Sequence, residues 1–359
     1  MNDDDRRSSR SLNRREFLRE AAAAAALLPL AACSSGKSDG PKKVAEASPA
    51  PEVKAEPIIV GGLPVTCNLT LPIACTARMA SKDKGRKFEY SKYSGWPVLK
   101  ESLMSGRVQA AFMLAPLVMD LTTKKIPIKI VSLGHRSGAV IMVRTDSGFK
   151  KFKDLAGKRV AIPSRFAVDF LFLRKMLKQE GMEPTDVELV EMPPPDMPAA
   201  LYAKAVDAYC TGEPFGAAAE LAGYAKPLRM TRDEWPNYIC CVLTVREELI
   251  RDDRPLVQDL VNYVLGAGHW LDQVPANRDK AVDIASGKNF FNQDKKILKF
   301  VMEHPSDRVT YGDLRMIKDE FDDLMQLSVA AGTLKAPVPY EQYVDDSFVK
   351  AAMAAPILI

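Results

Sequence analysis

The chain has 359 residues, 47% of them apolar, enough to bury a large core divided between two domains. Its net charge is +4 with a pI near 8.6, and the basic residues are spread along the chain, which argues against nucleic-acid binding. No apolar run approaches the length of a membrane span.

Residues 1–33 read as an export signal rather than as part of the fold. Arg6, Arg7 and Arg10 make a basic start, and Asn13-Arg14-Arg15-Glu16-Phe17-Leu18 resembles the twin-arginine export motif, with Asn13 in place of the usual Ser or Thr. Residues 21–30 form a short apolar core. Leu30-Ala31-Ala32-Cys33 then resembles a lipobox, whose cysteine is diacylated and becomes the new amino terminus. This predicts a periplasmic or otherwise extracytoplasmic protein, exported by the twin-arginine route and anchored to the membrane through lipidated Cys33. Residues 34–56, rich in Ser, Gly, Lys, Ala and Pro, predict a flexible tether. Five other cysteines remain: Cys67, Cys75, Cys210, Cys240 and Cys241. An odd number leaves at least one free thiol, and most of the five read as small buried hydrophobes.

The folded body opens on a short strand over residues 57–60. The turn-prone stretch from Gly61 to Asn68 follows, then a helix over 69–81 whose exposed N–H groups suit a ligand's polar atoms. A strand over 88–93 leads to Ser94-Gly95-Trp96-Pro97, which opens a helix to Met104. Strand 108–113, helix 116–121 and strands 128–133 and 139–144 complete the first pass. Strand 159–162 and a helix through Leu177 begin the second lobe, followed by an extended segment ending at Glu191. Pro193-Pro194-Pro195 stops that segment, and Asp196 is placed to cap a helix from Met197. Residues 206–210 predict a buried strand that presents Thr211, Gly212 and Glu213 at its carboxyl end, where ligands sit in open α/β sheets. Pro214 then suits the first turn of the next helix. Residues 227–236 read as irregular and 238–245 as a strand returning to the first lobe. Helices are expected over 256–271, 279–284, 295–302 and 313–331, and the Pro-rich end from Leu334 is expected to wrap over the surface.

Residues 108–116 (Val-Gln-Ala-Ala-Phe-Met-Leu-Ala-Pro) align without a gap on residues 206–214 (Val-Asp-Ala-Tyr-Cys-Thr-Gly-Glu-Pro). Such an echo predicts two lobes built on one plan, facing each other across a cleft. The alternation of strands and helices predicts an α/β fold with mostly parallel pairing. The first lobe would take residues 57–145 and 244–359 and the second 146–243, with hinge crossovers near Thr145-Asp146 and near residues 238–243.

Residues 94–104, 106–116, 154–163, 193–197 and 207–214 together resemble the nitrate, bicarbonate, sulfonate and taurine solute-binding proteins of ABC importers, most of all the nitrate and bicarbonate branch. The resemblance covers roughly residues 58–271. It implies a two-lobed periplasmic-binding-protein type II fold with a helical C-terminal part, closing on a small-molecule ligand and docking on an ABC permease and ATPase complex. In that branch a tryptophan, a glutamine, a histidine and a lysine line the oxyanion site. Trp96 falls on the tryptophan, and Ala139, Asp169 and Tyr238 fall on the other three. A carboxylate beside a buried oxyanion raises the cost of binding, by roughly 4 kcal/mol at about 4 Å and an effective dielectric near 20, which speaks against nitrate itself. Asp169 with Trp96, Phe166, Phe215 and Tyr238 better suits a neutral or cationic ring or amine, the ligand class of the pyrimidine and thiamine-precursor receptors that share this fold. Arg165 would either pair with Asp169 or hold an anion. The ligand-binding set read from the sequence is Thr66, Cys67, Trp96, Ser164, Asp169, Glu213 and Tyr238. A ligand sensor with the same fold is the rival to a transport receptor.

No catalytic residue, cofactor or metal site is expected. His135, His269 and His304 are far apart with no carboxylate at ligand spacing, and neither Cys67 with Cys75 nor Cys240 with Cys241 has the paired arrangement of a zinc or iron–sulfur site. Dinucleotide, phosphate-loop and serine-nucleophile motifs are absent.

Overall fold

The computed structural model describes residues 56–359; the export signal, Cys33 and the tether other than Glu56 lie outside the described residues. The chain enters its first sheet through β1 (Ile58–Gly62), whose β-branched residues suit a buried pleated surface. There follow α1 (Thr70–Ala80), β2 (Phe88–Lys92), α2 (Trp96–Met104), β3 (Ala110–Leu114), α3 (Ala115–Thr123) and β4 (Ile128–Leu133). β5 (Arg136–Ser137) lies on the crossing to a second sheet. That sheet is built by β6 (Ala139–Arg144), β7 (Lys158–Ile162), α4 (Val168–Gln179), β8 (Val187–Glu191), α5 (Met197–Tyr202), β9 (Ala208–Gly212), α6 (Phe215–Leu221) and β10 (Ala225–Met230) with their helices. After α7 (Thr231–Glu234) the chain returns to the first sheet as β11 (Cys241–Arg246). The remainder is helical: α8 (Glu247–Asp252), α9 (Arg254–Gln273), α10 (Pro275–Ala285), α11 (Lys295–Glu303), α12 (Lys318–Ala330), α13 (Tyr340–Tyr343) and α14 (Ser347–Lys350). Within it, β12 (Val309–Thr310) pairs with β5. The longest helix, α9, starts where Asp253 accepts the Leu256 N–H at 3.2 Å and Pro255 sits in the first turn. Among the described residues no helix is long and apolar enough to cross a membrane.

The two sheets share one strand order. The first runs β2-β1-β3-β11-β4 and the second β8-β7-β9-β6-β10. β3 and β9, the strands of the internal repeat, hold the central place in each. β3 is parallel to β1 and antiparallel to β11; β9 is parallel to β7 and antiparallel to β6. Both are buried along their whole length, which is why each reads as a continuous apolar run rather than an alternating one.

Pairing in the two five-stranded sheets is not mostly parallel, as the sequence predicts, but evenly divided. In each sheet the strand tied to a crossing, β6 or β11, inserts antiparallel beside the central strand and pairs antiparallel with the edge beyond it. The first crossing also lies earlier than Thr145-Asp146. β6 hydrogen-bonds in the second sheet, so the chain changes sheet over residues 134–138. A run as apolar as residues 139–143 fits either sheet, so its pattern carries no information on which it joins. The stretch expected to be irregular contains β10, an edge strand whose register shifts between Pro227 and Arg229, where a missing N–H is tolerated. The C-terminal end does more than wrap the surface: Tyr343 and Phe348 enter the core, and Val344 bridges to Ile130 in β4.

Candidate functional site

The turn after β1 and the turn after β9 meet. Thr66, Cys67 and Asn68 form a buried 3-10 turn. The Thr66 N–H donates to the Glu213 carbonyl at 2.8 Å and its hydroxyl to the same oxygen at 3.1 Å. The Thr66 carbonyl accepts from the Tyr311 hydroxyl at 2.9 Å, so all of its polar groups are engaged within the protein. Cys67 lies against the second sheet: a Cβ on Gly212 would stand 3.1 Å from its sulfur and one on Gly138 3.3 Å. The Asn68 side chain accepts from the Leu63 N–H at 2.8 Å and leaves Nδ2 without a partner.

Glu213 is fully buried. Its Oε2 accepts the Ala217 N–H at 2.8 Å, closing the start of α6, and its Oε1 pairs with the Arg308 guanidinium at 2.9 Å. Burial pushes its carboxyl above the usual range against the opposing pull of Arg308. Arg308, buried as well, also reaches Glu220 at 2.7 Å. Glu213 thus fastens α6 to the chain segment before β12.

Asp169 sits in the first turn of α4 and is 1% exposed. The Cys210 thiol donates to its backbone carbonyl at 3.2 Å, while Oδ1 of its side chain has no partner. Burial, with Cys240 adding to it, pushes its carboxyl well above the normal range. Tyr238 is wholly buried, packs edge-on against Phe172 and Trp235, and leaves its hydroxyl unpartnered. Burial first and Asp169 second push its phenol up. Trp96, the first residue of α2, is buried with its indole N–H unpartnered, and so is the Thr211 hydroxyl in β9. Buried polar atoms are normally satisfied, so each of these is an exception.

Ser164 is half-buried and accepts the Phe166 N–H at 3.1 Å, a local turn ahead of α4. Arg165 neither meets Asp169 nor faces inward. It is exposed and pairs with Glu191 at 3.2 Å. Phe166 lies beneath the Lys124 ammonium, and the Phe215 carbonyl accepts from the Tyr209 hydroxyl at 2.9 Å. The Ala139 N–H meets the Thr231 hydroxyl at 3.1 Å. Of the residues read from the sequence, the fold gathers Thr66, Cys67 and Glu213 at one contact and sets Asp169 and Tyr238 within electrostatic reach of each other.

A cluster that sequence spacing did not predict lies beside them. The sulfurs of Cys67 and Cys240 and a ring nitrogen of His135 are all within 4.8 Å of one another, and all three residues are buried. Cys241 Sγ is 3.7 Å from Cys240 Sγ. His135 Nε2 accepts the Cys241 N–H at 3.2 Å, and Nδ1 has no partner. Hydrogen bonds from the Cys240 and Cys67 thiols pull Cys241 down to about 5, while Cys240 and Cys241 push Cys67 up and Cys241, with burial, pushes Cys240 up to about 11. All five cysteines among the described residues are free and buried. Cys67 follows β1, His135 lies on the first crossing and Cys240 on the second, so no sequence spacing relates them. The one signal available was position at strand ends and crossings, where α/β folds place ligands.

A family model described as the NMT1-like family matches residues 51–286. The nitrate/nitrite binding protein NrtA of Nostoc is 25% identical over 337 residues, 85% of this chain and 76% of that protein. The ligand binding component of an ABC-type import system from Staphylococcus aureus, solved with zinc bound, is 29% identical and superposes with a TM-score of 0.75 over 84% of this chain and 100% of the other. The periplasmic aliphatic sulphonate binding protein SsuA of Escherichia coli shares the fold at 17% identity, with a TM-score of 0.65 over 81% of this chain and 92% of the other.

Proposed function

Since the chain belongs to the NMT1-like family and has the two-lobed fold of ABC-type solute-binding receptors, we propose that it is an extracytoplasmic receptor, lipid-anchored at Cys33, that captures a small solute between its lobes and delivers it to an ABC permease and its ATPase. The observation that carries this reading is the meeting of two like sheets across Thr66 and Glu213, and the unpartnered buried polar atoms of Asn68, Asp169 and Tyr238 support it. Binding and closure need no covalent step: the closed state is the form a permease distinguishes from the open one. On this reading the protein is a carrier, not an enzyme. Burial favours the protonated form of Asp169, which lessens its repulsion of an oxyanion and its pull on a cation. The charge objection to nitrate-type anions is thereby weakened, and so is the attraction for an amine.

The test is a melting series of the full-length protein against nitrate, nitrite, bicarbonate, taurine and alkanesulfonates, a second panel of aminopyrimidines and polyamines, and a third of transition-metal ions. A ligand at a hundred times its dissociation constant stabilises by about 2.7 kcal/mol, a shift of several degrees. One saturable hit that also compacts the protein supports the receptor reading. Turnover of the bound compound, or binding without compaction, overturns it.

A further inference from the structure

Among the described residues, three thiols and an imidazole meet where the first sheet's turn abuts the second sheet, and the receptor reading gives them no task. We propose that Cys67, Cys240 and His135, with Cys241 alongside, bind a thiophilic filled-shell metal ion, Cu(I) or Zn(II), in the interlobe site. As the identity of the captured solute this rests on the receptor reading; as a metal site it stands on the cluster's geometry.

The spacing suits an ion. Two metal–sulfur bonds of about 2.3 Å at the tetrahedral angle set the sulfurs about 3.8 Å apart. Cys240 and Cys241 stand at 3.7 Å. Adjacent side chains in a regular strand point to opposite faces, but Cys240 precedes the first residue of β11, and outside the pleat the two thiols converge. Cys67 and His135 complete the set within 4.8 Å of Cys240. The imidazole can serve as a ligand at small loss, because Nε2 accepts only the long 3.2 Å contact from the Cys241 N–H and Nδ1 has no partner at all.

Donor type narrows the ion. Sulfur with one imidazole selects Cu(I) or Zn(II) over magnesium, calcium or manganese, which take oxygen. The place in the fold links binding to closure. Cys67 comes from the first sheet's turn and lies against Gly212 at the end of β9 in the second sheet, so an ion on Cys67 sits at the meeting of the lobes.

The experiment uses untagged full-length protein, reduced and kept anaerobic, titrated with Zn(II) against a chromophoric chelator and with Cu(I) against a Cu(I)-specific one. The expected result is one ion per chain. Affinity should fall by more than about 100-fold in Cys67→Ser, Cys240→Ser and His135→Ala, beyond the 10–100-fold typical of losing a supporting partner. It should be unchanged in Cys75→Ser, a buried thiol of α1 outside the cluster. X-ray absorption of the loaded wild type gives an answer independent of variant folding: two or three sulfurs with an imidazole support the site, and scattering from oxygen and nitrogen alone overturns it. The tighter of the two titrations identifies the ion. No stoichiometric uptake of either ion, while an anion or heterocycle still raises the melting temperature, overturns the metal site and leaves the receptor. Uptake at the cluster with no compaction in small-angle scattering keeps the metal site and overturns the ion's identity as the captured solute.

Discussion

The Glu213 carbonyl accepts both the N–H and the hydroxyl of Thr66, at 2.8 and 3.1 Å, and this double contact joins the turn after β1 to the turn after β9. It sits one residue from Cys67 on one side and one from Gly212 on the other, so it holds the two sheets together where their strands end. Thr66→Val removes the hydroxyl bond and keeps both the N–H bond and the side-chain shape. A single hydrogen bond contributes about 1 kcal/mol net. If the contact exists only in the closed form, the equilibrium shifts toward the open one and ligand affinity drops about fivefold. Small-angle scattering of the free variant should show a larger radius than wild type. An unchanged radius and affinity would mean that the contact persists in both forms.

The Glu213–Arg308 pair is almost wholly desolvated, and both partners make further bonds. Glu213→Ala leaves the guanidinium buried without this carboxylate and α6 without its cap, and should cost about 3–5 kcal/mol. Glu213→Gln combined with Arg308→Met removes both charges and should be markedly less costly than the sum of the single changes. Chemical denaturation of the four proteins measures the coupling. Strict additivity would show that the two side chains do not depend on each other.

The central strands were legible because burial on both faces leaves an apolar run, and because the repeat places β3 and β9 at matched positions in residues 108–116 and 206–214. Trp96 and Asp169 were singled out through the family resemblance alone, and both are buried with a polar atom unpartnered; their contact with a ligand is part of the proposal. Arg308 was not, since it reaches Glu213 from the helical C-terminal part and nothing local relates the two. Arg165 was misplaced for the reverse reason: a cation four residues from Asp169 suggests a local pair, yet it turns outward to Glu191. His135 looked isolated because its neighbours Cys67 and Cys240 arrive from other parts of the chain. Periodicity reports which face of an element is buried. It does not report which loops converge.

Asp169 gives a pH signature. Its folded-state pKa is raised by burial above the unfolded value of about 3.9, so folding takes up a proton between the two. Its contribution is complete below the unfolded pKa and is lost progressively as the pH climbs toward the folded one. Asp169→Asn keeps the shape and cannot ionise. The variant should lose less stability than wild type on going from pH 4 to pH 8, and near pH 8 it should be as stable or more so. Parallel pH profiles in thermal unfolding would show that Asp169 titrates normally.

Trp96 separates packing from recognition. Its ring is buried at the start of α2, and its indole N–H has no partner among the described residues. Trp96→Ala would mix both effects, since losing so large a buried ring costs about 3–5 kcal/mol on its own. Trp96→Phe keeps most of the apolar surface and deletes the donor along with part of the ring. An unsatisfied buried donor costs about 1–3 kcal/mol, which offsets much of the volume lost, so the free variant should melt within a few degrees of wild type. If the N–H faces the solute, affinity for an oxygen-bearing ligand falls by about tenfold, because the ligand's acceptor is then buried without a partner. Calorimetry on the free and bound forms reads the two effects separately. Equal loss in both forms would assign Trp96 to packing alone.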